Sequence, residues 1–131
     1  GYDGARKKVL VVDDVAENRS VLVDLLRPLG FLTFEAHNGR EGIERAQALL
    51  PDLILMDNVM PVMNGLDATR LLRAMPALKN IPVLAISASA TQEDRDNAVD
   101  AGATDFVTKP FRAPQLLALL ERHLGIRFHT R

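Results

Sequence analysis

Short apolar runs alternate along this chain with longer stretches whose apolar positions recur every three or four residues, the mark of strands alternating with amphipathic helices. Five strand–helix units can be counted. The first strand is expected from about Lys8 to Asp13, and the helix after it carries Val21, Leu22, Leu25, Leu26 and Leu29 on one stripe until Pro28 and Gly30 stop it. Strand two runs from Leu32 to Ala36. Asn38 then caps a helix, with Glu41 reaching back as in a capping box and Ile43, Ala46, Leu49 and Leu50 forming the inner stripe. Strand three spans Asp52 to Asp57; the third helix begins at Asn64, carries Leu66, Leu71 and Leu72, and fades near Met75 and Pro76. Strand four ends on Ser87. The helix from Gln92 to Ala101 offers a core only Ala98, Val99 and Ala101, so it is expected to be the most loosely held. Strand five covers about Asp105 to Lys109, and the last helix runs from Ala113 to Leu124, where Gly125 stops it. Leu116, Leu117, Leu119, Leu120 and Leu124 are more leucines than one stripe requires, so one or two should face outward.

This alternation with short connections predicts an α/β fold, a doubly wound five-stranded parallel sheet with helices on both faces. At 131 residues the chain suits one domain, placed at residues 8–124. Gly1-Tyr2-Asp3-Gly4 fits no periodic pattern, so residues 1–7 are expected to be disordered or a leftover outside the fold, and 125–131 a tail without a clear reading. A formal net charge of -1, spread over mixed signs, gives no field to attract nucleic acid or anionic lipid. No direct nucleic-acid binding is expected. The absence of cysteine removes any disulfide framework, and no stretch reaches the roughly 18 to 20 apolar residues of a membrane span. No membrane insertion and a cytoplasmic location follow as expectations.

The chemistry sits where strands end. Val9-Leu10-Val11-Val12 ends on Asp13 and Asp14, Leu53-Ile54-Leu55-Met56 on Asp57, Pro82-Val83-Leu84-Ala85-Ile86 on Ser87, and Phe106-Val107-Thr108 on Lys109 and Pro110. In a doubly wound sheet all carboxyl ends share one edge, so these residues can meet in a crevice. If strands one and three are neighbours, pairs of bare carboxylates at about 4 Å repel by roughly 4 kcal/mol at an effective dielectric near 20. Such a cluster needs protons or a cation. Hard oxygen ligands with room for water and a phosphate suit Mg²⁺, and Lys109 keeps a neighbouring aspartate ionised and nucleophilic. A carboxylate so placed can attack phosphorus and become an acyl phosphate, to whose oxygens Ser87 can donate. The added charge can pull a hydroxyl and its loop across the sheet edge.

Singly, each residue has a plainer reading. Asp13 and Asp14 read as caps of the first helix, Lys109 as a solvated loop lysine, Ser87 as a turn residue and Phe106 as core. Their joint appearance at successive strand ends favours the site. Asn18-Arg19-Ser20 matches a glycosylation acceptor without a secretion signal, and His37, His123 and His129 lack metal spacing.

Val9 to Asp14, Leu55 to Gly65, Ala85-Ile86-Ser87-Ala88 and Val107-Thr108-Lys109-Pro110-Phe111 resemble, in order and spacing, the receiver domain of two-component response regulators. The resemblance covers Lys8 to about Leu124. It implies a flavodoxin-like strand order 2-1-3-4-5, Asp57 as phosphoacceptor, Mg²⁺ held by Asp13, Asp14, Asp57 and the backbone carbonyl of Val59, and Lys109 on the phosphoryl group. Ser87 would be the switch hydroxyl and Phe106, in place of the common Tyr, the switch aromatic, relaying to the face made by helix four, strand five and helix five. The Lys109–Pro110 bond would be cis. Phosphate would come from phosphohistidine on a histidine kinase or histidine phosphotransfer protein, a homodimer remaining open, and the only chemistry would be self-catalysed transfer to Asp57 and slow autodephosphorylation. Val59 carries no amide or acid to orient a hydrolytic water and Ser89 only a short hydroxyl, so the phosphoryl group should be long-lived. The residues around Asp13 and Asp57 resemble most the receivers attached to hybrid histidine kinases. A haloacid dehalogenase-type phosphohydrolase would want an acid where Val59 stands, a flavodoxin-like cofactor binder would be repelled by Asp13, Asp14 and Glu17, and a pseudo-receiver scaffold would not need the full set.

Overall fold

The computed structural model describes residues 1, 2 and 4–129. Strands β1 (Lys8–Val12), β2 (Leu32–Ala36), β3 (Leu53–Asp57), β4 (Val83–Ser87) and β5 (Asp105–Thr108) alternate with helices α1 (Ala16–Leu26), α2 (Gly39–Leu49), α3 (Gly65–Ala74), α4 (Gln92–Ala101) and α5 (Ala113–Leu124). The strands pair in parallel in the order β2-β1-β3-β4-β5. The register sets Val12 beside Met56 and Asp57 beside Ile86, so the carboxyl ends of β1, β3 and β4 lie side by side.

Two apolar cores follow from the two-residue period of the strands. Val9, Val11, Leu53, Leu55, Leu84, Ile86 and Val107 meet Leu22, Leu26, Leu116 and Leu120 of α1 and α5 on one face. Leu10, Val12, Ile54, Met56 and Val83 meet Ile43, Ala46, Ala68 and Leu72 of α2 and α3 on the other. Both faces of β3 are therefore sealed, which is why its whole run is buried up to and including Asp57.

Helix ends follow local chemistry, with some departures from expectation. The Asn38 side chain accepts from the Glu41 amide at 2.8 Å, but Glu41 Oε1 reaches the amide of His37 at 3.2 Å rather than that of Asn38, so the box closes one residue early. Asn64 caps α3 by accepting from the Asp67 amide at 2.9 Å. Val21 and Val99, expected on inner stripes, are exposed, and α4 buries only Ala98 and Ala101. A helix that lies across the end of a sheet buries a narrower stripe than periodicity alone suggests.

Tyr2 near one end of the chain and Phe128 near the other pack on the core. Tyr2 bridges to Phe128, its ring lies 4.9 Å from Phe31 and 6.0 Å from Phe128, and its hydroxyl accepts from the Lys7 amide at 2.8 Å while donating to the Gly30 carbonyl at 3.2 Å. The expectation of a disordered segment at residues 1–7 is thus corrected at Tyr2, because a single aromatic finds two distant partners. Ile126 and Phe128 pack on the same core, together with Leu117, Leu119 and Leu124. None of the α5 leucines is fully exposed, against the expected one or two: Leu116 and Leu120 are buried, and Leu117, Leu119 and Leu124 are half-buried against the core.

Candidate functional site

Asp13, Asp57 and Lys109 reach one spot because each continues an odd-numbered strand series, Val9 and Val11 to Asp13, Leu53 and Leu55 to Asp57, Val107 to Lys109. All three project toward the α1 and α5 side of the sheet edge. Lys109 Nζ lies 3.3 Å from Asp13 Oδ2 and 3.2 Å from Asp57 Oδ1. Asp13 and Asp57 are buried, Asp14 is exposed, and carboxylate oxygens of the three lie within 4.8 Å of one another. The backbone after β1 is held firmly. Asp13 Oδ1 accepts from the Val15 amide at 2.9 Å, and Arg19 Nη1 donates to the Asp13 carbonyl at 2.7 Å. Asp13 therefore does not cap α1, whose cap position is Val15 with no side-chain bond.

The electrostatics are unbalanced. Burial, then Asp13, lift the Asp57 carboxyl from 3.8 to about 6, with a smaller push from Asp14, although Lys109 pulls it the other way. Burial alone would pull Lys109 down, but Asp57 and Asp13 outweigh it and hold the ammonium above its usual value. One ammonium faces three carboxylates. Three hard oxygen donors, one of them open to solvent, with negative charge uncompensated, fit a hard divalent cation such as Mg²⁺.

Gly65 makes room for this arrangement: a Cβ there would stand 2.0 Å from the Asp57 carbonyl oxygen. Between them, the loop that carries Val59 turns back through Val62, whose φ of 68° puts a β-branched residue in the left-handed region. Val59 and Val62 side chains both face solvent.

Ser87 and Phe106 stand apart from the acids. Ser87 follows Ile86 and by strand alternation faces the opposite side, where its Oγ accepts from the Ser89 amide at 3.1 Å. It lines a cleft of about 390 Å³ with Asn58, Val59, Leu66, Ser89 and Asp94. The Lys109 amide donates to the Ser87 carbonyl at 2.9 Å, tying the ends of β4 and β5 together, and the Lys109–Pro110 peptide is cis. Phe106 lies half-buried beside Ala85 with the Arg95 guanidinium 4.9 Å above its ring. Arg19, Arg95 and Asp94 were not singled out from sequence. Only Asp94 left a signal, the capping-box spacing Thr91-x-x-Asp94, which the structure forms.

Comparison with known proteins decides the family. Residues 9–121 match the response regulator receiver domain. The chain belongs to the receiver domains of two-component signalling. This receiver is 38% identical over 117 residues to the chemotaxis protein CheY of Thermotoga maritima, a match covering 88% of this chain and 96% of that protein. It is 35% identical over 120 residues to the sensor histidine kinase CheAY of Helicobacter pylori, where the match covers 90% of this chain but only 15% of the kinase. Among solved structures, the receiver domain of a Pseudomonas aeruginosa sensor histidine kinase, with a magnesium ion coordinated in its active-site cleft, is 36% identical with a TM-score of 0.86, covering 92% of this chain and 99% of that one. CheY4 of Vibrio cholerae is 33% identical with a TM-score of 0.87, covering 92% and 100%. As a receiver, the protein is a phosphoacceptor switch that works with histidine kinases or phosphotransfer proteins. No helix among the described residues is long and apolar enough to cross a membrane.

Proposed function

We propose that Asp57 is the phosphoacceptor of this receiver and takes its phosphoryl group from a phosphohistidine on a histidine kinase or phosphotransfer protein in the cytoplasm. The observation that carries this reading is a buried carboxylate 3.2 Å from an ammonium, with two further carboxylates beside it, at the end of a central strand. An Asp57 carboxylate oxygen attacks phosphorus, a P–O bond forms, the P–N bond to imidazole breaks, and the electron pair stays on the departing nitrogen. Lys109 faces the charge on the transferring oxygens. With its carboxyl near 6, Asp57 is about nine-tenths ionised at neutral pH, hence nucleophilic even with the acids beside it. Asp13, Asp14, Asp57 and the Val59 carbonyl would hold Mg²⁺, which supplies further positive charge for the phosphoryl oxygens when bound.

The donor has a place to dock. A groove of about 500 Å³ lined by Asn18, Val21, Lys109, Pro110 and Phe111 adjoins the Lys109 side of the site, and exposed Val21 gives it an apolar edge. An apolar groove of that kind suits a partner helix with an apolar face. Ser87 and Phe106 then relay the modified state to the face formed by α4, β5 and α5. The chemistry ends with self-catalysed transfer of the phosphoryl group to Asp57 and its slow loss.

Incubation with Mg²⁺ and acetyl phosphate should give a one-phosphoryl mass gain that Asp57→Asn abolishes. Sustained turnover of the donor would point to a hydrolase, and a gain that survives the substitution would overturn the assignment.

A further inference from the structure

The polar contacts between β4 and α4 form one continuous chain. Ser87 Oγ accepts from the Ser89 amide at 3.1 Å, and the Ser89 hydroxyl donates to Asp94 Oδ2. The same carboxylate oxygen accepts from the Thr91 hydroxyl at 2.8 Å and, more weakly, from its amide at 3.4 Å, while the Asp94 amide donates to Thr91 Oγ1 at 3.1 Å. These bonds hold the Asp94 carboxyl below the usual carboxylate range, chiefly through Ser89. The carboxylate is the knot of the loop.

Apolar packing does little to place the start of this helix. The only side chains α4 buries are Ala98 and Ala101, in its second half, while Gln92, Glu93 and Arg95 are exposed. The position of the first turn therefore rests on the Ser89–Asp94–Thr91 bonds and on Arg95 over Phe106. Ser87, in turn, faces away from Asp57 and spends its oxygen on the Ser89 amide. To reach a phosphoryl group on Asp57 the hydroxyl must turn to the other side of the sheet edge, which strips that amide of its acceptor.

We propose that the Ser89–Asp94 hydrogen bond is a latch that holds the β4–α4 loop, and with it Ser87, in the arrangement seen here, and whose release carries the state of the site into α4. This rests on the phosphoacceptor assignment of Asp57. Asp94 is a positioning residue, since it acts on the site only through Ser89 and Ser87. A latch that stabilises the resting arrangement must weaken any ligand that needs the other one. Removing the latch should therefore tighten binding of a phosphoryl mimic, whereas loss of an ordinary stabilising contact would leave it unchanged or weaken it.

The direct test is calorimetric titration of the full chain with beryllofluoride in saturating Mg²⁺. Ser89→Ala deletes the latch and leaves the Thr91–Asp94 cap in place, Ser89→Thr keeps the hydroxyl, and Asp94→Ala with the double variant closes the cycle. The latch predicts binding tighter by about fivefold for Ser89→Ala, wild-type affinity for Ser89→Thr, and no further gain on adding Asp94→Ala to Ser89→Ala. In unliganded Ser89→Ala, amides of the first turn of α4 should exchange faster than in the wild type, approaching the liganded rate. Unchanged or weaker binding by Ser89→Ala, beside a wild type that binds, overturns the latch alone; a wild type that binds no beryllofluoride overturns the phosphoacceptor assignment and the latch with it.

Discussion

Replacing Asp57 by Asn should make the metal-free protein more stable at neutral pH and the Mg²⁺-loaded protein less so. The carboxyl is lifted from 3.8 to about 6 by burial and by its acidic neighbours, which outweigh Lys109. At about 1.4 kcal/mol per pH unit, holding it ionised costs the folded state roughly 3 kcal/mol. Solvent at the open rim, where Asp14 is exposed, screens part of this and leaves about 1–2 kcal/mol. The sign follows from proton counts. Below 3.8 folded and unfolded chains both carry the proton and the contribution is fully present; between 3.8 and about 6 only the folded chain keeps it, so stability falls as pH rises, and above 6 the contribution is gone. Urea denaturation in chelator should show the wild type losing stability across that interval, the Asp57→Asn variant losing less, and the variant ahead by about 1–2 kcal/mol near pH 7.5. Saturating Mg²⁺ should reverse the order, because only the carboxylate is a strong ligand. A variant no more stable than wild type in chelator, or an order that Mg²⁺ does not change, would refute the picture of an under-compensated acid cluster.

Three further outcomes test other parts of the account. Gly65→Ala places a Cβ 2.0 Å from the Asp57 carbonyl oxygen, so urea denaturation should show a loss of at least about 3 kcal/mol, and phosphorylation by acetyl phosphate should fail even where the variant folds. Tyr2→Ala removes ring contacts to Phe31 and Phe128 and a hydroxyl that bridges Lys7 and Gly30, at a cost of about 2 kcal/mol in the same assay; no loss would mean the N-terminus lies outside the fold. With Val59 carrying no amide or acid to orient a hydrolytic water and Ser89 only a short hydroxyl, phosphate release after removal of the donor should take minutes or longer, and decay within seconds would contradict that.

Most of the architecture is legible in the sequence, because strands sealed on both faces leave uninterrupted apolar runs and their ends are sharp. The bounds of β2, α4 and α5 agree to the residue, and the acids appear where the runs Val9 to Val12 and Leu53 to Met56 stop. What escapes is of three kinds. Tyr2, Phe31 and Phe128 form one cluster from three remote places, and no local pattern announces a contact of that range. Val21 and Val99 carry the right spacing, but their flanks overhang the sheet, and periodicity does not report where a neighbour ends. The side on which Ser87 stands is encoded in strand parity, since Ile86 packs toward α1 and α5, yet which partner detains its hydroxyl depends on the loop Ala88 to Thr91. Asp94 is visible as a cap for the same reason that its second role is hidden: the Thr91-x-x-Asp94 spacing explains its presence, and nothing in that spacing points to Ser89.

The central claim, that the Asp57 carboxylate accepts the phosphoryl group, is tested most directly by trapping the product chemically. Borohydride reduces an acyl phosphate to an alcohol, so treatment of the protein after incubation with acetyl phosphate and Mg²⁺, followed by peptide mass mapping, should find homoserine at position 57. Homoserine in place of Asp13 or Asp14, or an unmodified peptide spanning Leu53–Asp57 in protein that has gained phosphoryl mass, would contradict it.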